Sequence, residues 1–381
     1  MPLMQSPPGP QTVIDGRRYL YFAGTGYLGL QGHPEVVHAA CDAARQYGIG
    51  SATSRAGFGD TPPVLDVERL AAELFGTESA FYFATGYVGN HVLVEAVRER
   101  VGAVFVDAAS HYCVHEAARL LGRPAWTFAH GQPEDLQRRL DSRLPAGSSP
   151  LVLTDGVFSA RGDVAPLAEY RAVLGDYPGS ILAVDDAHGV GVLGKRGRGT
   201  LEHAGLFASG VNTSDAIGDS SLDAPALLCC ATLSKALGGY GGIIPGAAAW
   251  VERLQGAAPH YAGMSPPPPP VAAASARALR LVLDQPGLRE RLHRNVAALK
   301  GGLRERGFAV DDTPVPIVAL QLGDARNMQR IQRTLMDRGI VISYFRAYSG
   351  LGAQGALRIA VFATHTQAMI ERLLDELASV A

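Results

Sequence analysis

Lysine is scarce in this chain of 381 residues: only Lys195, Lys235 and Lys300 occur, so chemistry that needs a primary amine has three candidates. The four cysteines, Cys41, Cys113 and the adjacent Cys229 and Cys230, form no CxxC. His111 and His115 around Cys113 lack zinc-site spacing, which excludes a disulfide scaffold and a structural metal centre. The cysteines read as reduced, mostly buried small hydrophobes of a cytoplasmic protein. No excess charge of one sign is present: 34 basic against 36 acidic residues leave a net charge of -2. The densest basic cluster is Lys195-Arg196-Gly197-Arg198, which excludes nucleic acid as a partner. No apolar run approaches the roughly 18 residues that span a bilayer, so no membrane partner is expected. The opening MPLMQSPPGPQTVIDGRRYL lacks the charged and apolar regions of a signal peptide.

What is present is globular: 47% hydrophobic and 18% charged residues, enough for a large core and two or three domains. After a proline-rich start, Tyr19 to Phe22 reads as a short strand. His33 to Gly48 and Val64 to Phe75 carry apolar residues at helical spacing. Strands then alternate with helices: Ser79 to Phe83, Ala103 to Asp107, Leu151 to Thr154 and Ile181 to Asp185 are short, continuously apolar runs. Such runs suit a mostly parallel sheet covered by helices on both faces, an α/β fold. The proline run Pro266 to Pro270 is expected to sit outside any helix and to mark the joint to a smaller α+β unit. In that unit Val271 to Leu283, Leu288 to Arg306 and Thr366 to Val380 read as helices, Val315 to Leu322 and Ile340 to Tyr344 as strands. The expected division is an N-terminal arm 1–35, a large domain 36–262 and a small domain 263–381 packing with the arm.

Among the lysines, Lys300 on a charged helix and Lys195 in a basic glycine-rich loop read as solvated surface residues. Lys235 follows the apolar run from Cys229 to Leu233 and precedes Gly238-Gly239-Tyr240-Gly241-Gly242. Apolar surroundings lower a lysine's pKa and favour the neutral amine that forms Schiff bases. Alone, the segment would better suit a snorkelling lysine in a glycine-rich turn. A second segment bears on it: Ile181 to Val184 delivers Asp185, Asp186 and His188 at the carboxyl end of a strand, where open α/β sheets bind ligands. A buried Asp there needs a cation, and a protonated pyridine nitrogen is one; the alternative is an Asp that caps the next turn.

Two further motifs overlap this stretch. Gly189 to Gly194 matches GxGxxG, and Gly189 to Lys195 nearly matches a P-loop, yet both need a helix directly afterwards, and Lys195 to Gly199 is a poor helix start. Dinucleotide and nucleoside triphosphate binding are therefore rejected. Thr85-Gly86-Tyr87 joins a strand to a helix N-terminus and offers an anion site. His111, after the strand ending at Asp107, could stack on a flat ring.

These segments together resemble the α-oxoamine synthase group of fold-type I pyridoxal 5'-phosphate (PLP) enzymes. The matching stretches are Tyr27-Leu28-Gly29-Leu30 with His33-Pro34, Phe83 to Tyr87, Asp155 to Ser159 with Gly162 to Leu167, Asp185 to Gly189, Thr232 to Lys235, and Leu357-Arg358-Ile359. The resemblance implies that Lys235 forms the Schiff base, Asp185 pairs with the pyridine nitrogen, His188 contacts the ring oxygen and His111 stacks on the ring. It implies phosphate contacts from Gly86, Tyr87 and Thr232, a ring-lining Ser159, and an Arg358 that holds the amino-acid carboxylate. It also implies a homodimer with the active site at the interface.

The implied reaction joins an amino acid to an acyl thioester of coenzyme A or a carrier protein, with decarboxylation. Departures from the pattern fall on the substrate side. Thr25-Gly26 replaces a polar pair, leaving Thr25 as the candidate substrate contact; Val64 stands where a His is frequent; Ala262-Gly263-Met264 replaces a hydroxyl-rich segment. An aminotransferase is the alternative these departures raise, with a non-catalytic scaffold as a third reading.

Overall fold

The computed structural model describes residues 2–207, 224–346 and 350–381. Its strands are β1 (Gln11–Ile14), β2 (Arg17–Tyr21), β3 (Ser79–Phe83), β4 (Ala103–Asp107), β5 (Ala125–Phe128), β6 (Pro150–Asp155), β7 (Ile181–Asp185), β8 (Ala226–Thr232), β9 (Gly242–Gly246), β10 (Ile317–Leu320), β11 (Ile340–Val341), β12 (Ser343–Phe345) and β13 (Ala356–Ala360). Seven of them form the central sheet in the order β3-β9-β8-β7-β6-β4-β5. The run from β8 to β5 is parallel, and β9 pairs antiparallel on both sides. The expected α/β architecture is the observed one.

Alternation along each strand feeds two cores. On β7, Leu182 and Val184 join one apolar cluster, while Ile181 and Ala183 join the other with Val92, Val114 and Trp250. That second cluster is roofed by helices Gly89–Val97, Tyr112–Leu120 and Ala248–Ala257. The first is covered by helices Pro62–Phe75, Pro133–Arg143 and Leu167–Leu174. Because strands β4, β6, β7 and β8 run in one direction, Asp107, Asp155, Asp185 and Thr232 all arrive at one edge of the sheet.

The small unit holds an antiparallel sheet, β10-β13-β12. The arm contributes β1 and β2, and β2 pairs in parallel with β11, Leu20 opposite Ile340. His365 fastens this joint: its ring stacks on Phe22 at 4.1 Å, Nδ1 accepts from Phe362 N at 2.8 Å, and Nε2 lies 3.1 Å from the Tyr21 carbonyl.

Three expectations need correction. Ile340 to Tyr344 is two strands in different sheets, because its first half pairs with the arm and its second half with β13. The proline run enters a helix, Pro269–Asp284, whose first turn holds Pro269 and Pro270, where no intrahelical N–H donor is needed. That helix packs on helices Pro34–Tyr47 and Pro62–Phe75. Lys300 is not solvated: it is 2% exposed, and its Nζ donates to Asp311 Oδ1 at 2.7 Å, Thr313 O at 2.8 Å and Thr313 Oγ1 at 2.9 Å. Lys195 is exposed, as expected.

Candidate active site

The carboxyl edge of the sheet opens into a cavity of about 240 Å³ lined by Thr85, Gly86, Tyr87, His111, Ser159, Asp185, His188, Thr232 and Lys235, with Cys113, Asp155 and Ser234 among the remaining walls. Sites assigned to separate segments of the chain thus converge, because each follows a strand of the same direction.

Lys235 sits in the turn after β8. Its carbonyl is held from two sides, by Gln31 Nε2 at 2.6 Å and Gly238 N at 3.1 Å. Gly238, at φ +69, is required here: a Cβ would lie 2.2 Å from Leu30 Cβ, so the turn could not close on the Leu30-Gln31 segment. The amine projects to His188 Nε2 at 2.8 Å. Burial pushes the Lys235 amine below its ordinary pKa, against the pull of Asp185 and Asp155. Burial holds His188 well below the usual imidazole range, reinforced by Lys235 and Arg358.

The aspartates at the ends of β6 and β7 stand opposite each other in register, Asp155 beside Asp185. Asp185 Oδ2 accepts from Asn90 Nδ2 at 2.7 Å and lies 3.5 Å from Cys113 Sγ; its Oδ1 accepts from Ala187 N at 3.1 Å. Asp155 accepts the His111 backbone N–H at 3.1 and 3.2 Å, and burial with the neighbouring Asp185 raises its pKa well above the carboxylate norm. Asp186 faces the other way. Its Oδ2 accepts from Thr200 N at 2.7 Å, and burial pushes its pKa up to about 7; Asp185 lines the cavity and also caps the next turn through Oδ1. No helix follows directly after Gly194, in keeping with rejection of the nucleotide motifs.

Thr85 caps the turn Gly86–Val88, its Oγ1 accepting from Tyr87 N at 3.3 Å, and the helix Gly89–Val97 follows. A Cβ on Gly86 would sit 2.7 Å from Thr232 Oγ1, so only glycine leaves room beside that hydroxyl. Tyr87 is exposed and donates its hydroxyl to Glu116 at 2.7 Å. His111 caps the helix Tyr112–Leu120, with Nδ1 3.3 Å from Cys113 N and 3.0 Å from Cys113 Sγ.

Arg358, on β13, is buried behind the wall rather than in it. Nε donates to Ser159 O at 2.8 Å, Nη1 to Gly24 O at 3.0 Å and Nη2 to Tyr27 Oη at 3.2 Å. Those bonds engage one N–H on each nitrogen and leave one on each terminal nitrogen, the pair a carboxylate takes. Thr25 is half-buried in the turn that supplies the Gly24 carbonyl and does not line the cavity. Val64 is wholly buried in its helix.

The model of the family "Aminotransferase class I and II" matches residues 20–377. The chain belongs to this family. Within it the chain stands with the α-oxoamine synthases. The 8-amino-7-oxononanoate synthase of Pseudomonas putida strain F1 is 35% identical over 379 residues, covering 99% of this chain and 92% of that protein. The protein of the same name from Methylococcus capsulatus is 36% identical over 377 residues, covering 99% and 92%. Among solved structures, serine palmitoyltransferase from S. paucimobilis, with a bound PLP-myriocin adduct, superposes at a TM-score of 0.89 with 29% identity, covering 100% of this chain and 92% of that one. The 8-amino-7-oxononanoate synthase of Francisella tularensis shares the fold at a TM-score of 0.76.

The cavity of this family member fits PLP. Asp185, 8% exposed, receives neutral donors and no cation in hydrogen-bond contact among the described residues, which suits a pyridinium. The Gly86–Thr232 gap suits a phosphate, and Lys235 presents an amine. Gln31, Asn90, Cys113, Asp155 and Tyr27 shape the site without having been assigned a role from sequence. Asn90 had a signal, its place in the first turn of the helix that follows the Gly86 turn; Asp155 had one too, since both neighbouring strands end in Asp.

Proposed function

We propose that the protein is a PLP-dependent acyltransferase that condenses an amino acid with an acyl thioester, with loss of CO2, to an α-amino ketone, as an 8-amino-7-oxononanoate synthase does. The carrying observation is the half-buried amine of Lys235 facing His188 beside the in-register pair Asp155 and Asp185. When bound, PLP supplies the electron sink for bond changes at the amino acid's α-carbon. Lys235 would hold the cofactor and serve as base for the α-proton; Asp185 would keep the ring nitrogen protonated, His188 would donate to the ring oxygen and His111 would stack on the ring. Gly86, Tyr87 and Thr232 would hold the phosphate, Ser159 would line the ring site, and Arg358, with Thr25 at its turn, would take the substrate carboxylate. We place the enzyme in the cytoplasm as a homodimer whose second copy closes the cavity.

By carbon count, 8-amino-7-oxononanoate is alanine less CO2 joined to a seven-carbon dicarboxylic acyl group, which sets the test substrates. The PLP-loaded protein is expected to release CO2 and free coenzyme A thiol only when alanine and heptanedioyl-CoA are both present. Amino-group exchange with a 2-oxo acid and no thioester requirement would instead make it an aminotransferase. Failure to take up PLP would make it a scaffold.

A further inference from the structure

We propose that Tyr27 is a positioning residue: its hydroxyl, set between Arg358 and His188, fixes which nitrogen of His188 carries the proton and so links the state of Arg358 to the amine of Lys235. The proposal rests on the reading above for the roles of Lys235 and Arg358.

Four groups stand in line. Arg358 Nη2 lies 3.2 Å from Tyr27 Oη, Tyr27 Oη lies 2.7 Å from His188 Nδ1, and His188 Nε2 lies 2.8 Å from Lys235 Nζ. Tyr27 and Arg358 are 0% and 2% exposed and His188 is 6%, so these bonds have little competition from water. Proton counting gives the line a direction. A guanidinium only donates, so Arg358 gives a hydrogen to the phenol oxygen. The phenol has one hydrogen, and the partner left for it is His188 Nδ1. A neutral imidazole that accepts at Nδ1 carries its hydrogen on Nε2, which then donates to Lys235. Lys235 can accept only as a neutral amine.

The reverse arrangement is poorer. With Lys235 as an ammonium donating to Nε2, His188 would donate from Nδ1, and Tyr27 would receive two hydrogens while its own had no acceptor among the described contacts. A buried hydroxyl left in that state forfeits a hydrogen bond that water cannot replace. Burial also raises the Tyr27 pKa to about 12, so the phenol keeps its hydrogen at neutral pH, and burial keeps His188 neutral.

The line has a functional consequence. Hydrogen bonds in series polarise one another. A carboxylate arriving on Arg358 draws the guanidinium hydrogens toward itself, weakens the donation to Tyr27, and with it the donation of His188 Nε2 to whatever faces it. The amino-acid site and the lysine thereby report on each other without touching.

The test reads the histidine rings directly. The full-length protein is labelled with 15N-histidine and examined by NMR without PLP, the His188 resonances being identified by their loss in His188→Asn. The expected result is a neutral His188 protonated on Nε2. Tyr27→Phe keeps the ring packing and is expected to shift the tautomer ratio toward Nδ1 by about 2- to 10-fold, the worth of one hydrogen bond. Unchanged His365 signals serve as the check on folding. As a second reading, the rate at which PLP and borohydride trap Lys235 is expected to fall in Tyr27→Phe and to stay near that of the unchanged protein in Glu99→Ala, a control at a side chain 83% exposed. A His188 protonated on Nδ1 in the unchanged protein, or a ratio indifferent to Tyr27→Phe, overturns the proposal. Because the tautomer is measured without PLP, a protein that fails to take up PLP would sink the proposed function and leave this result standing.

Discussion

Two of the three lysines are drawn in from the surface, Lys300 wholly and Lys235 in part, and their surroundings differ in a way that separates structure from chemistry. Lys300, between the long helix Gly287–Glu305 and the loop that follows it, gives hydrogens to a carboxylate, a carbonyl and a hydroxyl, the full complement an ammonium can use. Lys235, at the edge of the large sheet, meets one nitrogen, and the carboxylates nearby act only at a distance. Burial depresses the pKa of both amines, but Asp311 restrains the shift at Lys300 by direct contact, whereas among the described residues no carboxylate touches Lys235. A lysine is inert where its charge is satisfied and reactive where it is merely tolerated.

The largest test of this contrast is Lys235→Ala. Turnover should vanish along with the visible band of the cofactor adduct, while the melting temperature stays within a few degrees of the unchanged protein. A retained band would place the amine elsewhere. The opposite behaviour is expected at His365, in the joint between arm and small unit. Burial lowers its pKa to about 4 from an ordinary 6.5. Above 6.5 both folded and unfolded states hold it neutral; as pH falls toward 4 only the unfolded state gains the proton, so up to about 3 kcal/mol of stability is lost across that window. Urea unfolding at pH 7 and pH 4.5 measures the loss, and His365→Phe should remove part of it.

Arg358 is where the contrast could break, since it lies on β13 of the small unit yet serves the cavity. Arg358→Ala should raise KM for the amino acid by an amount equivalent to about 1.5–3 kcal/mol. A changed kcat with constant KM would make it a scaffold for Ser159 and Gly24 alone. The smallest effect is expected from Lys300→Met, which removes the charge and keeps the stem. Because half-exposed Asp311 can turn to water, the loss should be about 1–2 kcal/mol in denaturant titration, with unchanged activity per folded molecule. Activity lost at full folding would refute the division of labour.

Much of the sheet was readable because continuously apolar runs between turn residues have few other uses, and Lys235 stood out because lysines are so few. The errors at Lys300 and at the proline run share a cause. A helix's polar face does not announce the loop that will fold back over it, and Asp311 and Thr313 follow Lys300 by more than two helical turns. Prolines stop a helix in its middle but suit its first turn, which spacing alone does not distinguish. Tyr27 and Asn90 were missed for another reason: their partners lie 161 and 95 residues away in the chain, and only the closed fold brings them together. The motif that singled out Arg358 carries identity and not depth, so its place behind the cavity wall was not legible.

The pairing of the arm with the small unit also bears on the order in which the protein can be made. Arg17 bonds to a carbonyl 320 residues later, and Tyr27 meets Arg358 across 331 residues. As the chain leaves the ribosome the large sheet, with both aspartates, His188 and Lys235, can close while the first residues still lack a partner. On the proposed roles, the half of the site that would hold the cofactor can form before β13, the strand that brings Arg358, has been synthesised.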